Sequence, residues 1–100
     1  MTGGKGVIAA TGKGKNGLIT WAVKGSTTTL KDPTEASSTV GTCPSGTVEE
    51  QELQAIVVKS SGAAKTAILA GWVFTAYACF NQSGKVTEAK GAPVTIGPAA

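Results

Sequence analysis

Histidine and arginine are both missing from this 100-residue chain, which carries a net charge of +3. Without histidine, neither a Ser-His-Asp nor a Cys-His catalytic arrangement can form, and the commonest metal ligand is absent. Without arginine, the bidentate contacts that usually recognise phosphate and guanine cannot be made. We therefore expect no enzyme, no cofactor, no metal site and no nucleic-acid partner.

Large apolar residues are also few. Aromatic residues make up 5% of the chain, and no apolar run approaches the roughly 20 residues that a membrane helix needs. The start of the chain has no apolar signal-peptide core. We expect one small domain without a membrane partner, and leave open whether the chain is used without export or has lost a signal.

The charged residues are segregated along the chain. Residues 1–31 contain lysines but no acid, whereas residues 32–52 contain acids but no lysine. These blocks suit either solvated loops or complementary patches between neighbouring copies of the chain, and the residues leave both open. The candidate interface residues are Lys5, Lys13, Lys15, Asp32, Glu35, Glu49, Glu50 and Glu52.

Two cysteines, Cys43 and Cys79, permit a single internal disulfide. Such a bond would tie a turn-like segment to an aromatic strand and stabilise the fold by about 4 kcal/mol in the chain-entropy model. The alternative is two unlinked thiols, with Cys79 as a small buried apolar residue. The sequence does not decide between them, because it does not reveal the redox compartment.

The clearest structural pattern lies in residues 68–96. Aromatic and β-branched residues alternate from Trp72 to Phe80 with both faces apolar, which predicts a strand covered on both sides. Residues 81–84 are typical of a turn, and residues 86–89 and 92–96 predict a last strand at an edge, interrupted by Gly91 and Pro93.

Weaker patterns occur elsewhere. We expect strands at 7–11, 18–24, 53–59 and 63–69, and a turn at 12–17 with Asn16 and Gly17 as the hairpin pair. Gly12, Gly14 and Gly17 also spell GxGxxG, but a strand-like segment follows, so this turn is not a dinucleotide site. Residues 1–6 are expected to be flexible, and residues 25–47 to form a long loop with one short edge strand at 26–30.

About seven short strands without a long helix predict an all-β fold, an antiparallel β-sandwich. Within residues 69–96 the chain resembles the late half of a fibronectin type III or other immunoglobulin-like module. Trp21 is placed like the early-strand tryptophan of that family. The resemblance implies an immunoglobulin-like sandwich and carries no activity with it. The matching residues are Leu69, Gly71, Phe74, Asn81, Gly84 and the closing APVTI.

These observations favour a non-enzymatic structural protein of a virion, such as a phage capsid decoration or tail component. Its expected partners are other virion proteins or copies of itself. The alternative is a secreted or cell-surface module that binds a glycan or a protein, using Trp72 or Tyr77 to stack on the ligand. In that alternative the Asn81-Gln82-Ser83 sequon becomes relevant.

Overall fold

The computed structural model describes residues 4–8, 12–83, 86–92 and 94–99. Within these residues the chain is mostly β-structure, with one helical turn. The elements in chain order are β1 (Gly4–Ile8), β2 (Asn16–Trp21), β3 (Thr27–Ser37), β4 (Thr47–Ser61), α1 (Ala64–Ala67), β5 (Val73–Asn81), β6 (Val86–Glu88) and β7 (Thr95–Gly97).

The strands form one antiparallel sheet in the order β1-β2-β3-β4-β5-β6, so each strand pairs with its neighbour in sequence. The short strand β7 pairs with β5 on the same edge as β6, at the opposite end. The sheet curls into a half-barrel. The all-β, antiparallel prediction is confirmed. A second sheet stacked on the first is not seen in the described ranges, so the immunoglobulin-like sandwich stays a prediction.

The alternation predicted for β5 is confirmed, and it serves two separate cores on opposite faces of the sheet. Phe74 packs against one core, whereas Tyr77 and Cys79 belong to the other. Residues of opposite parity on a strand point to opposite faces. The curled sheet therefore buries one face at the β2–β4 end and the other face at the β5–β6 end.

The first core is centred on Leu30 and Val57, which lie opposite each other on β3 and β4 and are 0% and 1% exposed. Burial of each such side chain stabilises the fold by roughly 1.5–3 kcal/mol. The segment that includes α1 covers this face through Ala64 and Ile68. The remaining members are Ile19 and Ala55, with Trp21, Trp72, Phe74 and Ile96 partly buried against them.

The second core is small and consists of Cys79, Ala89 and Ala92, with Cys43 and Tyr77 packed against it. Residue 41 must be glycine here, because a Cβ atom would lie only 2.8 Å from the Cβ of Ala89. Two segments outside the main strand pairs cover this core, one around Thr42 and one around Lys90. Two backbone hydrogen bonds between Thr42 and Lys90, of 2.8 and 2.9 Å, hold these segments together.

The long loop expected at residues 25–47 is wrong over its first half. Residues 27–37 form β3, an interior strand paired with both β2 and β4. Its threonines are β-branched and suit a strand, but its low apolar content hid this. A register shift between Lys31 and Thr34 accommodates the buried Pro33, since proline is tolerated in a sheet where a bulge interrupts the ladder.

The hairpin pair assigned to Asn16 and Gly17 is also wrong. Both residues lie in β2, and Gly17 is buried between Ile8 of β1 and Leu30 of β3. The turn is formed instead by residues 12–15, where the N–H of Lys15 donates to the carbonyl of Gly12 at 3.2 Å. The turn that precedes β2 therefore lies before the Asn-Gly pair, and that pair belongs to the strand itself.

Two further expectations are corrected. Residues 64–67 are helical rather than extended, because Gly62 adopts a positive φ of 61° and the Oγ of Ser26 accepts the N–H of Ala63 at 3.0 Å. Residues 4–6 are paired in β1, so residues 1–6 are not flexible throughout. Residues 1–3, 9–11, 84 and 93 of the sequence predictions lie outside the described residues.

The strand expected at 53–59 is confirmed and is longer than predicted, as β4 spans Thr47–Ser61. The last strand is confirmed at the edge, divided into β6 and β7. Among the described residues, no helix has both the length and the apolar character to cross a bilayer.

Candidate interaction surface

The disulfide predicted as one of two alternatives is present as a bond between Cys43 and Cys79, whose Cα atoms lie 5.7 Å apart. Cys79 is fully buried on β5, and Cys43 belongs to the segment that covers the second core. The bond therefore ties residues 38–46 to β5. The disulfide lies between the second core and the segment that covers it, which indicates a structural role.

Glu50 lies directly opposite Cys79 in the register of β4 and β5 and is 7% exposed. Its two carboxylate oxygens are both used. One accepts the hydroxyl of Ser38 at 2.5 Å, and the other accepts the N–H of Gly41 at 2.9 Å. Buried carboxylates are stable only when they are hydrogen-bonded in this way. Glu50 thus holds the covering segment in place and is not exposed to a partner.

The ligand atoms of Cys43, Glu50 and Cys79 lie within 4.8 Å of one another, a spacing that would suit a metal ion. A metal takes thiolate sulfur from cysteine. Because the two sulfurs are bonded to each other in the disulfide, this group supplies a single carboxylate. We assign the cluster to fold stability and not to metal binding.

Asp32 also has a structural role. It is the one non-glycine residue with a positive φ, 50°, in the described part of the chain, and aspartate is among the few residue types that tolerate this conformation. Its Oδ1 accepts the N–H of Gly14 at 2.8 Å, and its own N–H donates to the carbonyl of Lys15 at 2.9 Å. Asp32 thus anchors the turn that exposes Lys13 and Lys15 to solvent.

The other candidate interface residues are spread over the sheet. Glu35 and Glu49 are exposed, but their register partners Leu53 and Phe80 place them on the face of the first core. Glu52 is half-buried and lies on the opposite face with Tyr77. Lys5 is opposite Thr20 in β1. The structure therefore does not bring the acidic block together into one patch.

A surface that the sequence analysis did not select lies on the face opposite the first core. We call it the open face. Residues opposite each other in an antiparallel pair share a face, and the pairs on this one are Leu18 with Thr29, Thr29 with Lys59, Lys31 with Ile56, Ile56 with Val73, Gln54 with Thr75, and Glu52 with Tyr77.

The open face combines exposed aliphatic side chains with charge. Leu18 is 43% and Ile56 36% exposed, and Val58, at the register shift of β4, is 40% exposed. Lys31 and Lys59 are exposed beside them. The sequence carried a signal for this surface, because residues 55–58 are apolar on both faces of the strand. One of these two apolar faces is uncovered in the structure.

Tyr77 lies opposite Glu52, at the end of the open face that is farther from Lys31 and Lys59. The hydrogen bond with the Glu52 carboxylate, partial burial and the negative charges of Glu52 and Glu50 raise the pKa of Tyr77 above its ordinary value of 10.0. The neutral phenol is thus favoured as a donor to Glu52. The pair presents a carboxylate fixed beside an aromatic ring at the surface.

Trp72, which was proposed with Tyr77 as a ligand-stacking residue, is less accessible than expected. Trp21 and Trp72 both pack against the first core, and the indole N–H of Trp21 donates to the hydroxyl of the buried Thr28 at 2.8 Å. Tyr77 is the aromatic residue that the open face presents. Comparison with known proteins finds no matching family, no matching curated protein and no matching solved structure.

Proposed function

We propose that this protein is a non-enzymatic structural component of a virion, a capsid decoration or tail protein that assembles through protein–protein contacts. The observation that carries the proposal is the open face, where aliphatic side chains lie exposed between lysines and a carboxylate on a rigid sheet. Contiguous exposed apolar residues with a polar rim are typical of protein interaction sites.

Three further features support this proposal. Virion surfaces are among the places where disulfides persist, so the bond between Cys43 and Cys79 is compatible with this role, although it favours the second function described below more directly. The acids Asp32 and Glu50 both accept hydrogen bonds that hold neighbouring segments in place, which suits a structural role for these two residues. The resemblance of residues 69–96 to immunoglobulin-like modules supports a structural, non-enzymatic protein. We include the two-sheet packing of such modules in the proposal.

The test is the location of the protein in its source. Particles purified on a density gradient should contain the protein in a fixed ratio to the capsid or tail proteins, measured by quantitative mass spectrometry. Genes for capsid or tail proteins should flank its gene. A protein that is absent from the particle fractions, with no such genes nearby, would rule out the virion role.

The disulfide also favours a second function, a secreted or cell-surface module that binds a glycan or a protein. Here Tyr77 would stack on a sugar ring while the fixed carboxylate of Glu52 accepts a sugar hydroxyl. A glycan array with the wild type and Tyr77→Ala would test this function. Tyr77→Phe is the matched control, because it keeps the ring and removes only the hydroxyl.

A further inference from the structure

The charge on the open face changes sign along the strands, from basic at one end to acidic at the other. At one end, Lys31 lies beside Ile56, and Lys59 lies farther in the same direction. At the other end, Glu52 lies beside Tyr77. From Glu52 to Ile56 the strand rises by about 13 Å. The basic and acidic ends are therefore separated by more than the reach of either side chain, and they do not neutralise each other within one copy.

The middle of the open face is neutral. Gln54 lies halfway between the two ends, and its side-chain N–H group donates to the hydroxyl of Thr75 at 3.4 Å. A rotation of 180° about an axis across the strands at this position exchanges the two ends. The basic end of one copy then meets the acidic end of another, which is the self-complementarity that a two-fold interface requires.

We propose that the open face pairs with the open face of a second copy of this chain, about a two-fold axis that crosses the strands at Gln54. Glu52 of each copy then lies over Ile56 of the other copy, where Lys31 on the neighbouring strand can reach its carboxylate. Val73 of each copy faces the ring of Tyr77. Two sheets stacked in this way lie about 10 Å apart, a distance that lysine and glutamate side chains span together.

The proposed function rests on the open face, and the dimer gives this surface a partner, which is a second copy of the chain. Four strands and the rise from Glu52 to Lys59 give the open face a projected area of roughly 500 Å², against about 800 Å² per partner in a standard stable interface. The dimer is therefore expected to be weak and reversible in isolation. A weak contact of this kind suits assembly on a lattice, where many copies are held close together.

The first experiment removes the apolar centre. Sedimentation velocity of the oxidised wild-type protein, over a range of concentrations, should show a reversible monomer–dimer equilibrium. Ile56→Glu should raise the dissociation constant at least about 10-fold, because it places a carboxylate opposite Glu52 of the other copy. Leu69→Glu is the matched control. Leu69 is 49% exposed and follows Ile68, which packs in the first core on the opposite face of the sheet, so this variant should dimerise like the wild type.

The second experiment tests the predicted charge pairing. Lys31→Glu and Glu52→Lys should each weaken the dimer by about 10-fold, whereas the double variant should return to within about 3-fold of the wild type. Circular dichroism and thermal unfolding check that each variant is folded. Recovery in the double variant has no explanation in the folding of a single copy, so it separates an interface from a structural effect.

A strictly monomeric wild type, or equal effects of Ile56→Glu and Leu69→Glu, would overturn the inference. Charge reversals that do not compensate in the double variant would also overturn it. These results are distinguishable from failure of the virion role. A protein that is monomeric but found on particles would exclude only the dimer. A protein that is dimeric but absent from particles would exclude only the virion role.

Discussion

Gly41 and Glu50 are joined by a hydrogen bond of 2.9 Å from the Gly41 N–H to the buried carboxylate, and Ser38 donates its hydroxyl to the other oxygen of that carboxylate. One acid on β4 thus holds the first part of the segment at residues 38–46, which covers the second core. The disulfide from Cys43 to Cys79 fastens the same segment a few residues farther on. Stability in this part of the fold depends on these few polar and covalent links, because its apolar core is small.

Glu50→Ala should lower the free energy of unfolding by about 2–4 kcal/mol, because two hydrogen bonds to a charged acceptor are lost and their buried donors remain. Urea denaturation with the disulfide intact would measure the change. Glu49→Ala is the matched control, since Glu49 is the exposed neighbour on the same strand, and it should change stability by no more than about 0.5 kcal/mol. Equal effects of the two substitutions would contradict the role assigned to Glu50.

Removal of the disulfide should also destabilise the fold. The bond closes a loop with a sequence separation of 36, and the chain-entropy model predicts a loss of about 4 kcal/mol when such a loop is opened. Thermal unfolding with and without a dithiol reductant would reveal it. The double variant Cys43→Ser with Cys79→Ser should unfold near the temperature of the reduced wild type and should not respond to reductant. A wild type that does not respond either would contradict the prediction.

Asp32→Ala should destabilise the protein by about 1–3 kcal/mol, since it removes the acceptor for Gly14 and places a residue with a poor left-handed propensity at φ 50°. Asp32→Asn keeps both an acceptor oxygen and tolerance of that conformation, so its effect should be clearly smaller. Chemical denaturation of both variants compares them directly. If Asn were as harmful as Ala, the role would lie in the negative charge and not in the turn geometry.

Tyr77 is the single tyrosine of the chain, so an ultraviolet titration of tyrosinate reports on it alone. Its midpoint should lie above 10.0. Glu52→Gln should lower this midpoint by removing the charge and the carboxylate hydrogen bond, whereas Glu49→Gln should leave it unchanged. A midpoint at or below 10 in the wild type would contradict the Glu52 pairing.

The same group makes stability depend on pH. A raised pKa in the folded state means that the stabilisation is fully present below the unfolded pKa near 10. It is lost as the pH rises through the folded value, because the unfolded chain then releases its proton first. Unfolding measured on the alkaline side should show this loss in the wild type, and Glu52→Gln should reduce it.

Part of the site was within reach of sequence reasoning. The alternation from Trp72 to Phe80 predicted which side chains share a face, and the structure confirms it, because Phe74 packs against the first core and Tyr77 with Cys79 against the second. Asp32 and Glu50 were selected as charged residues, but their roles were missed. Each is used by hydrogen bonds from a segment distant in sequence, Gly14 in one case and Ser38 with Gly41 in the other.

What the sequence alone determined is the class of structure. β-branched residues, alternation and turn residues specify strands locally, and the absence of histidine and arginine limits the available chemistry. The tertiary structure alone decided that the threonine-rich segment at residues 27–37 is an interior strand, because its polar sequence becomes a strand only when β2 and β4 pair with both of its edges. It also decided which apolar face of β4 is covered and which is exposed. Long-range pairing and the curl of the sheet set that difference, and no local pattern along the chain encodes it.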